Sequence, residues 1–182
     1  MREKDSFALA VQTMRLREKK RRLRLWAGRA LLMLFIAWLL SFVFGIFVVQ
    51  GDSMRPAYQD GDLVFMIRVL PKGVTYDNVV ILEDAQGKEV IKRIVGLPGD
   101  TITLYDNGQI VRNQIAVQEK DIIYSTASSG TWQTYTVPEN AYFYLGDNRP
   151  VSKDSRQNGC AALSKIRGKV FASLRVQTYE ER

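Results

Sequence analysis

The segment Glu89-Val90-Ile91-Lys92-Arg93-Ile94-Val95 predicts a β-strand, because four of its seven residues are β-branched. The turn-forming stretch Gly96-Leu97-Pro98-Gly99-Asp100 follows and ends it. Alternation along a strand places Lys92 on the same face as Val90 and Ile94. Its apolar neighbours make this lysine a candidate for burial. An exposed edge strand would instead leave it solvated.

Further segments of similar composition surround this strand. They are Asp62 to Leu70, Asn78 to Leu82, Thr101 to Tyr105, Gln109 to Arg112, Ala141 to Leu145 and Lys169 to Val176. Asp106-Asn107-Gly108 lies between two of them and is a strong hairpin signal. No strong amphipathic helical pattern occurs after residue 50. The sequence therefore predicts a mainly β protein, with an all-β domain of small antiparallel sheets over residues 50–182.

The N-terminal part contains twenty consecutive residues without a charge, from Ala30 to Val49. As a helix this run is about 30 Å long, which matches the hydrocarbon core of a bilayer. Trp26 lies near its start, where aromatic residues favour the membrane interface. No small-x-small cleavage site follows, so an anchor is favoured over a removable signal peptide. We predict a basic segment over residues 1–25 and a transmembrane helix over residues 26–49.

The charge distribution predicts the orientation of this anchor. The chain has a net charge of +7, and its first 29 residues contain ten Lys/Arg and three Asp/Glu, so the remainder is neutral. By the positive-inside rule the N-terminus is cytoplasmic and residues 50–182 are extracytoplasmic, in a single-pass protein of the cytoplasmic membrane. A basic tail without a basic domain argues against a nucleic-acid partner. The lipid bilayer is the partner that it fits.

The chain has one cysteine, Cys160, and no histidine. An intrachain disulfide is impossible, and the usual zinc ligand sets are missing. We therefore predict neither a metal nor a cofactor. A nucleophilic serine would also need a base other than histidine.

Ser53 is the candidate nucleophile. It lies in Gly51-Asp52-Ser53-Met54-Arg55-Pro56, which begins two residues after the uncharged run. Gly51 permits a tight backbone, and Pro56 restrains the residue before it. An ordinary turn serine would have the same surroundings. If Ser53 is reactive, Lys92 is the best candidate base, because burial lowers a lysine pKa from about 10.4 towards neutrality.

A third segment, Gly146-Asp147-Asn148-Arg149-Pro150-Val151-Ser152-Lys153-Asp154-Ser155-Arg156, is dense in turn formers. A surface loop is one interpretation. However, the apolar strand Ala141 to Leu145 leads into the segment, so it is expected to start inside the domain. A hydroxyl there could hold the lysine amine in line with the nucleophile. Asp154 and Arg156 could form an ion pair that fixes the loop.

Together these segments resemble the motif boxes of bacterial type I signal peptidases. The boxes are Ser53-Met54-Arg55-Pro56, Lys92-Arg93 leading into Gly96 to Asp100, and Gly146 to Arg156. They occur in the family's order after an N-terminal span, and the resemblance covers nearly all of residues 30 to 176. It implies an all-β signal-peptidase-like catalytic domain behind one transmembrane helix, without the large inserted domain and second span of longer members.

The resemblance also implies roles for individual residues. Ser53 would be the nucleophile, Lys92 the general base and Ser152 the hydrogen-bond partner of the lysine amine, with Asp154 and Arg156 as a structural pair and Asp147 as a structural residue. The Ser53 N–H would be one oxyanion-hole donor. Some members use a serine two residues earlier as the second donor, whereas this chain has Gly51, so a backbone N–H or a water must act there. Ala57 replaces a threonine that members often carry, without touching the dyad.

The implied activity is removal of signal peptides from secretory preproteins after small residues. Val49, Met54 and Ile91 are predicted walls of the shallow apolar pockets that would admit those small residues. Self-cleaving SOS repressors also use a serine–lysine dyad, but they are cytosolic and carry a DNA-binding domain. A membrane-anchored assembly factor for pili or surface proteins, non-catalytic or highly specialised, is the remaining alternative. A non-catalytic factor would be expected to lack the serine or the lysine.

Overall fold

The computed structural model describes residues 2–68, 73–126 and 129–175, with side chains from residue 19 onward. The chain divides into two compact units, Met1–Phe42 and Val43–Arg182.

The first unit consists of helix α1 (Arg2–Val43). Its segment Lys19–Val43 is long and apolar enough to cross a membrane, and none of this segment is buried by protein. From Ala30 to Val43 the helix carries no charged residue, and an unburied helix of this kind suits a lipid surrounding rather than water. The length and composition of α1 therefore agree with an N-terminal anchor.

The second unit is built of antiparallel strands. They are β1 (Phe44–Val48), β2 (Leu63–Ile67), β3 (Val79–Glu83), β4 (Glu89–Gly96), β5 (Thr101–Tyr105), β6 (Ile110–Arg112), β7 (Ile115–Ala116), β8 (Trp132–Thr136), β9 (Ala141–Leu145), β10 (Ala161–Ala162) and β11 (Ile166–Leu174). One sheet has the order β1-β2-β11-β3-β4-β9-β10, and a smaller one has the order β7-β6-β5-β8. Helix α2 (Ser155–Asn158) and a 3-10 turn (Leu163–Lys165) lie between β9 and β11.

The prediction of a mainly β protein with small antiparallel sheets is confirmed. Each predicted strand is present, with ends that shift by a few residues; Leu70 and Val176, at two predicted ends, lie outside the described residues. Strand β8 was missed, although Trp132-Gln133-Thr134-Tyr135-Thr136 is rich in β-formers. Strands β7 and β10 have two residues each, too few for any periodic pattern.

The predicted transmembrane helix over residues 26–49 is wrong at its C-terminal end. Helix α1 ends at Val43, and Phe44–Val48 forms β1, whose residues pair antiparallel with β2. At Gly45 a Cβ atom would lie 2.6 Å from the end of the Met66 side chain, so a larger residue here would force that side chain to shift. An apolar run suits both a membrane helix and a buried strand, and the hydrogen bonds that β2 offers decide between them.

Strand β4 lies inside the larger sheet, between β3 and β9. Its apolar residues Ile91, Ile94 and Val95 belong to three separate core clusters. Lys92, opposite Val80 of β3, is only 3% exposed. The edge-strand interpretation of this lysine is therefore excluded.

Candidate active site

Ser53 and Lys92 are in direct contact. Lys92 Nζ lies 2.7 Å from Ser53 Oγ, and it also donates to the Ile91 carbonyl oxygen at 2.9 Å. The first distance is within the range expected for a nucleophile and its base. Strand β4 supplies the amine, and the turn after β1 supplies the hydroxyl.

Burial lowers the pKa of Lys92 from 10.5 to about 8, while the carboxylates of Asp154, Asp147 and Asp84 act in the opposite direction. Desolvation penalises the ammonium and leaves the neutral amine unaffected. With a pKa of about 8, roughly a tenth of the molecules carry a neutral amine at pH 7. A neutral amine can accept the proton of a serine hydroxyl, whereas an ammonium cannot.

The turn that carries Ser53 is held by Asp60. Gly51 has a φ of +78°, a conformation that favours glycine, and its N–H donates to Asp60 Oδ1 at 2.6 Å. In the described part of the chain, no group accepts the Ser53 N–H. The Ser53 N–H thus remains free for an oxyanion, whereas the Gly51 N–H is already bonded.

The loop after β9 packs directly on this turn. Asn148 donates its backbone N–H to the Ser53 carbonyl oxygen at 3.0 Å, and its side-chain Nδ2 donates to the Asp52 carbonyl oxygen at 3.1 Å. A Cβ atom on Gly146 would collide with Ser152 Oγ and with the Ser53 carbonyl oxygen. Sequence reasoning gave no role to Asn148 or Gly146, since hydrogen bonds to a distant turn leave no local signal.

Arg93 turns away from Lys92 and pairs with Asp147. Its Nε lies 2.7 Å from Oδ1 and its Nη2 lies 2.6 Å from Oδ2, a two-pronged contact with a carboxylate that is 1% exposed. Burial raises the pKa of Asp147, and the two hydrogen bonds from Arg93 oppose this effect. The pair ties β4 to the loop after β9, which agrees with a structural role for Asp147.

Asp154 and Arg156 form the ion pair that was expected, with Arg156 Nε 2.8 Å from Asp154 Oδ1. Arg156 Nη2 also donates to the carbonyl oxygens of Arg149 and Ser152, at 2.7 and 3.1 Å. Asp154 Oδ2 accepts from the Gly146 N–H at 3.1 Å. The pair therefore closes the loop on itself, beside the N-terminus of α2.

Ser152 is buried, but the predicted hydrogen bond with the Lys92 amine is not formed. Among the described residues its Oγ has no hydrogen-bond partner, while Lys92 Nζ contacts Ser53 Oγ and Ile91 O. The amine is oriented towards Ser53 Oγ and the Ile91 carbonyl oxygen, and this orientation leaves Ser152 Oγ outside hydrogen-bond geometry. A buried hydroxyl without a partner costs about 1–3 kcal/mol, so it is an unusual feature for a folded domain.

Val49, Met54 and Ile91 do not lie on the surface of a pocket. All three are at most 2% exposed, and they pack in one core cluster. Ser53 and Lys92 instead open into a cleft of about 970 Å³, whose apolar lining comes from Val90 and Val151. The sequence predicted all three as walls of apolar pockets, whereas their packing in this cluster leaves them almost no exposed surface.

The motif resemblance is confirmed by comparison with known proteins. Residues 23–174 match the family described as "Signal peptidase, peptidase S26". Signal peptidase I of Bacillus licheniformis is 33% identical over 160 residues, which cover 82% of this chain and 86% of that protein. Signal peptidase IB of Staphylococcus aureus strain Mu50 is 31% identical over 157 residues, which cover 74% and 82% of the two chains.

A crystal structure of a signal peptidase I from Enterococcus faecalis V583 also matches, with 28% sequence identity and a TM-score of 0.48 over 55% of this chain and 98% of that chain. The family match spans the anchor, the Ser53 turn, β4 and the loop after β9. The chain belongs to the signal peptidase family, peptidase S26.

Proposed function

We propose that this signal peptide-removing peptidase uses Ser53 as its nucleophile and Lys92 as its general base. The observation that carries the proposal is the 2.7 Å contact between Lys92 Nζ and Ser53 Oγ, beside a lysine that is 3% exposed. The chain has no histidine that could serve as the base instead. A depressed lysine pKa is one of the recognised ways to activate a serine.

The reaction proceeds in two halves. Neutral Lys92 takes the Ser53 proton as Oγ attacks the carbonyl carbon of the scissile bond. The resulting ammonium returns the proton to the leaving amine, which leaves an ester between Ser53 and the signal peptide. The amine then activates a water that hydrolyses this ester. The Ser53 N–H stabilises the oxyanion in both halves, because it is free of other acceptors in the described part of the chain.

Ile91 and Ser152 orient the amine during these steps. The Ile91 carbonyl oxygen holds one N–H of Lys92 at 2.9 Å, so the nitrogen stays directed at Ser53. The buried Ser152 Oγ has no partner among the described residues and is available to accept another N–H when the amine becomes an ammonium. Asp147, Asp154 and Arg156 support the loop that carries Ser152.

The substrates are secretory preproteins, cut after small residues at the outer face of the membrane. Segment Lys19–Val43 of α1 anchors the chain, with the basic N-terminal segment in the cytoplasm and the β domain outside. A non-catalytic assembly factor would have no need of a serine and a buried lysine in contact, and no observation favours it.

The test is cleavage of a synthetic signal-sequence peptide by the detergent-solubilised full-length protein. We expect the wild type to release the fragment after a small residue and Ser53→Ala to release none. Loss of cleavage in Ser53→Ala with an unchanged melting temperature supports the proposal. An inactive wild type would contradict the activity, and an active Ser53→Ala variant would contradict the choice of nucleophile.

A further inference from the structure

The segment from Glu119 to Ser125, between β7 and β8, contacts the loop of residues 146–154. We refer to the segment as the strap and to the loop as the catalytic loop. Ile123 of the strap donates its N–H to the Asp147 carbonyl oxygen at 2.9 Å. Its own carbonyl oxygen accepts the Arg149 N–H at 3.0 Å. These two bonds form a short parallel bridge on either side of Asn148, the residue that holds the Ser53 carbonyl.

The same strap reaches the turn that carries the nucleophile. Ile122 forms an isolated antiparallel bridge with Pro56, three residues after Ser53. At its other end the Ser125 N–H donates to the Asn107 carbonyl oxygen at 2.9 Å, in the hairpin between β5 and β6. The strap therefore contacts both the nucleophile turn and the catalytic loop.

The strap is fixed to the loop by a buried ion pair. Arg149 Nη2 pairs with Glu119 Oε1, and the two side chains are 1% and 3% exposed. Arg149 Nε donates to the Gly146 carbonyl oxygen at 3.0 Å, and Nη1 donates to the Gly108 carbonyl oxygen. Tyr124 of the strap donates its hydroxyl to Glu119 Oε2 at 3.1 Å. Arg149 therefore links the strap to the Gly146 backbone and to the hairpin between β5 and β6.

A buried ion pair is a poor device for stability alone, because desolvation offsets much of the attraction between the charges. A buried guanidinium with three directed acceptors does, however, define one position for the backbone that it contacts. Here that backbone is Gly146, which touches the Ser53 carbonyl oxygen and Ser152 Oγ so closely that no Cβ fits. A movement of Gly146 towards these two groups would therefore push against one of them, and a movement away would loosen the packing between the loop and the Ser53 turn.

We propose that Glu119 is a positioning residue for the peptidase reaction: by holding Arg149, it fixes Gly146 and Asn148 against Ser53 and so sets the contact between Ser53 and Lys92. This inference rests on the proposed function of the same site. Glu119 does not line the cleft that contains the dyad, so it acts on the reaction and not on substrate binding.

The test compares kcat, KM and the pH profile of the full-length protein for Glu119→Gln, Tyr124→Phe and Glu89→Gln. The last variant is the matched control, since Glu89 is half-exposed and lies 4.0 Å from its partner Arg167. We expect Glu119→Gln to lower kcat by about ten- to a hundredfold with little change in KM, because small misplacements of a reacting group cost that much. Tyr124→Phe removes one hydrogen bond to Glu119 and should shift kcat in the same direction by less. Glu89→Gln should leave both constants unchanged.

The pH profile separates positioning from a merely structural role. Lys92 faces the carboxylates of Asp84, Asp147 and Asp154, and neither variant in the strap removes them. If the loop moves away, water reaches the amine, and the rising limb of kcat/KM should move upward from about pH 8 towards 10.5. A structural role alone would lower the melting temperature and leave the kcat and rising limb of the folded molecules in place.

Each outcome has one meaning once the wild type cleaves and Ser53→Ala does not. A lower kcat together with a shifted rising limb of the pH profile in Glu119→Gln supports the proposal. If Glu119→Gln does not fold, the same result in Tyr124→Phe supports it. Unchanged kcat and an unmoved limb in the folded strap variants overturn it, while the proposed function stands. A wild type that does not cleave overturns the proposed function itself.

Discussion

Lys92 and Ser53 lie thirty-nine positions apart in the chain, and a 2.7 Å hydrogen bond joins Nζ of one to Oγ of the other. Strand β4 holds the lysine rigidly between two neighbouring strands, whereas the serine lies in a turn held by Asp60 and Asn148. The contact thus depends on two separate supports, which mutation can disturb independently.

Lys92→Met should abolish peptide cleavage while the domain stays folded. The methionine side chain has a similar length but lacks the amine that accepts the serine proton. Loss of a general base costs orders of magnitude in rate. Lys88→Met is the matched control, because Lys88 lines the same cleft but is exposed. Steady-state cleavage of a signal-sequence peptide measures both. If Lys92→Met cleaves the peptide as fast as an active Lys88→Met, Lys92 is not the base.

Activity should rise with pH through about 8. The base must be neutral in the free enzyme, and burial lowers the pKa of Lys92 to about 8 from 10.5. The profile of kcat/KM against pH reports this value for the free enzyme. A rising limb near 10.5 would identify a solvated lysine and contradict the burial argument.

Lys92→Met should also raise the thermal stability of the domain at neutral pH. A lysine whose pKa is lower in the folded state binds fewer protons folded than unfolded, so it destabilises the fold below its unfolded pKa. The depression from 10.5 to about 8 corresponds to a penalty on the order of 3 kcal/mol below pH 8.

This penalty should fade as pH rises from about 8 to 10.5, because the unfolded lysine then loses its proton as well. Melting curves of the wild type and of Lys92→Met at pH 7 and pH 10 measure the difference. The variant should melt several degrees higher at pH 7, and the gap should narrow at pH 10. A variant that melts lower at pH 7 would contradict the prediction.

Asp147→Ala should destabilise the domain by about 3 kcal/mol, because it leaves the partly buried guanidinium of Arg93 without its carboxylate. The control is Asp52→Ala, which removes a half-exposed partner of Arg55 and should cost less than about 1 kcal/mol. Urea unfolding of both variants gives the free energies. Similar losses in the two would show that the Arg93 pair is no stronger than a surface contact.

Protease added outside intact cells should digest the β domain and spare the basic N-terminal segment. The excess of Lys and Arg before Ala30 is the reason, since such an excess stays on the cytoplasmic side. Immunoblots with tags at either end distinguish the two sides. Protection of the C-terminal tag in intact cells, with digestion after lysis, would reverse the orientation.

Local patterns were sufficient for the β class, whereas Ser53 and Lys92 became the candidate dyad through the resemblance of the motif boxes to a known family. The β-branched run around Lys92 predicts a strand because branched side chains favour extended backbone, whatever lies beside it. The twenty uncharged residues predict an anchor for an equally local reason, since length and polarity alone decide whether a helix can cross a bilayer. The composition alone, with no histidine and one cysteine, rules out a histidine base, an intrachain disulfide and the usual zinc ligand sets.

The same local patterns could not place the end of the anchor or the partners of the dyad. Phe44–Val48 is apolar enough for a membrane helix, but hydrogen bonds from β2 make it a strand. Arg93 is adjacent to Lys92 in the sequence, but their side chains leave β4 on opposite faces. Arg93 therefore pairs with Asp147, away from the Lys92 amine.

What the sequence by itself determined is the β class and the anchor, because these depend on residue type and short-range periodicity, together with the candidate reactive groups that the motif resemblance identifies. What only the tertiary structure decided is how those groups act. The depressed pKa of Lys92 depends on the burial of its side chain in the folded domain, and the position of Ser53 depends on Asn148. The strap with Glu119 and Arg149 is decided in the same way, since contacts between residues distant in sequence arise only when the sheets pack.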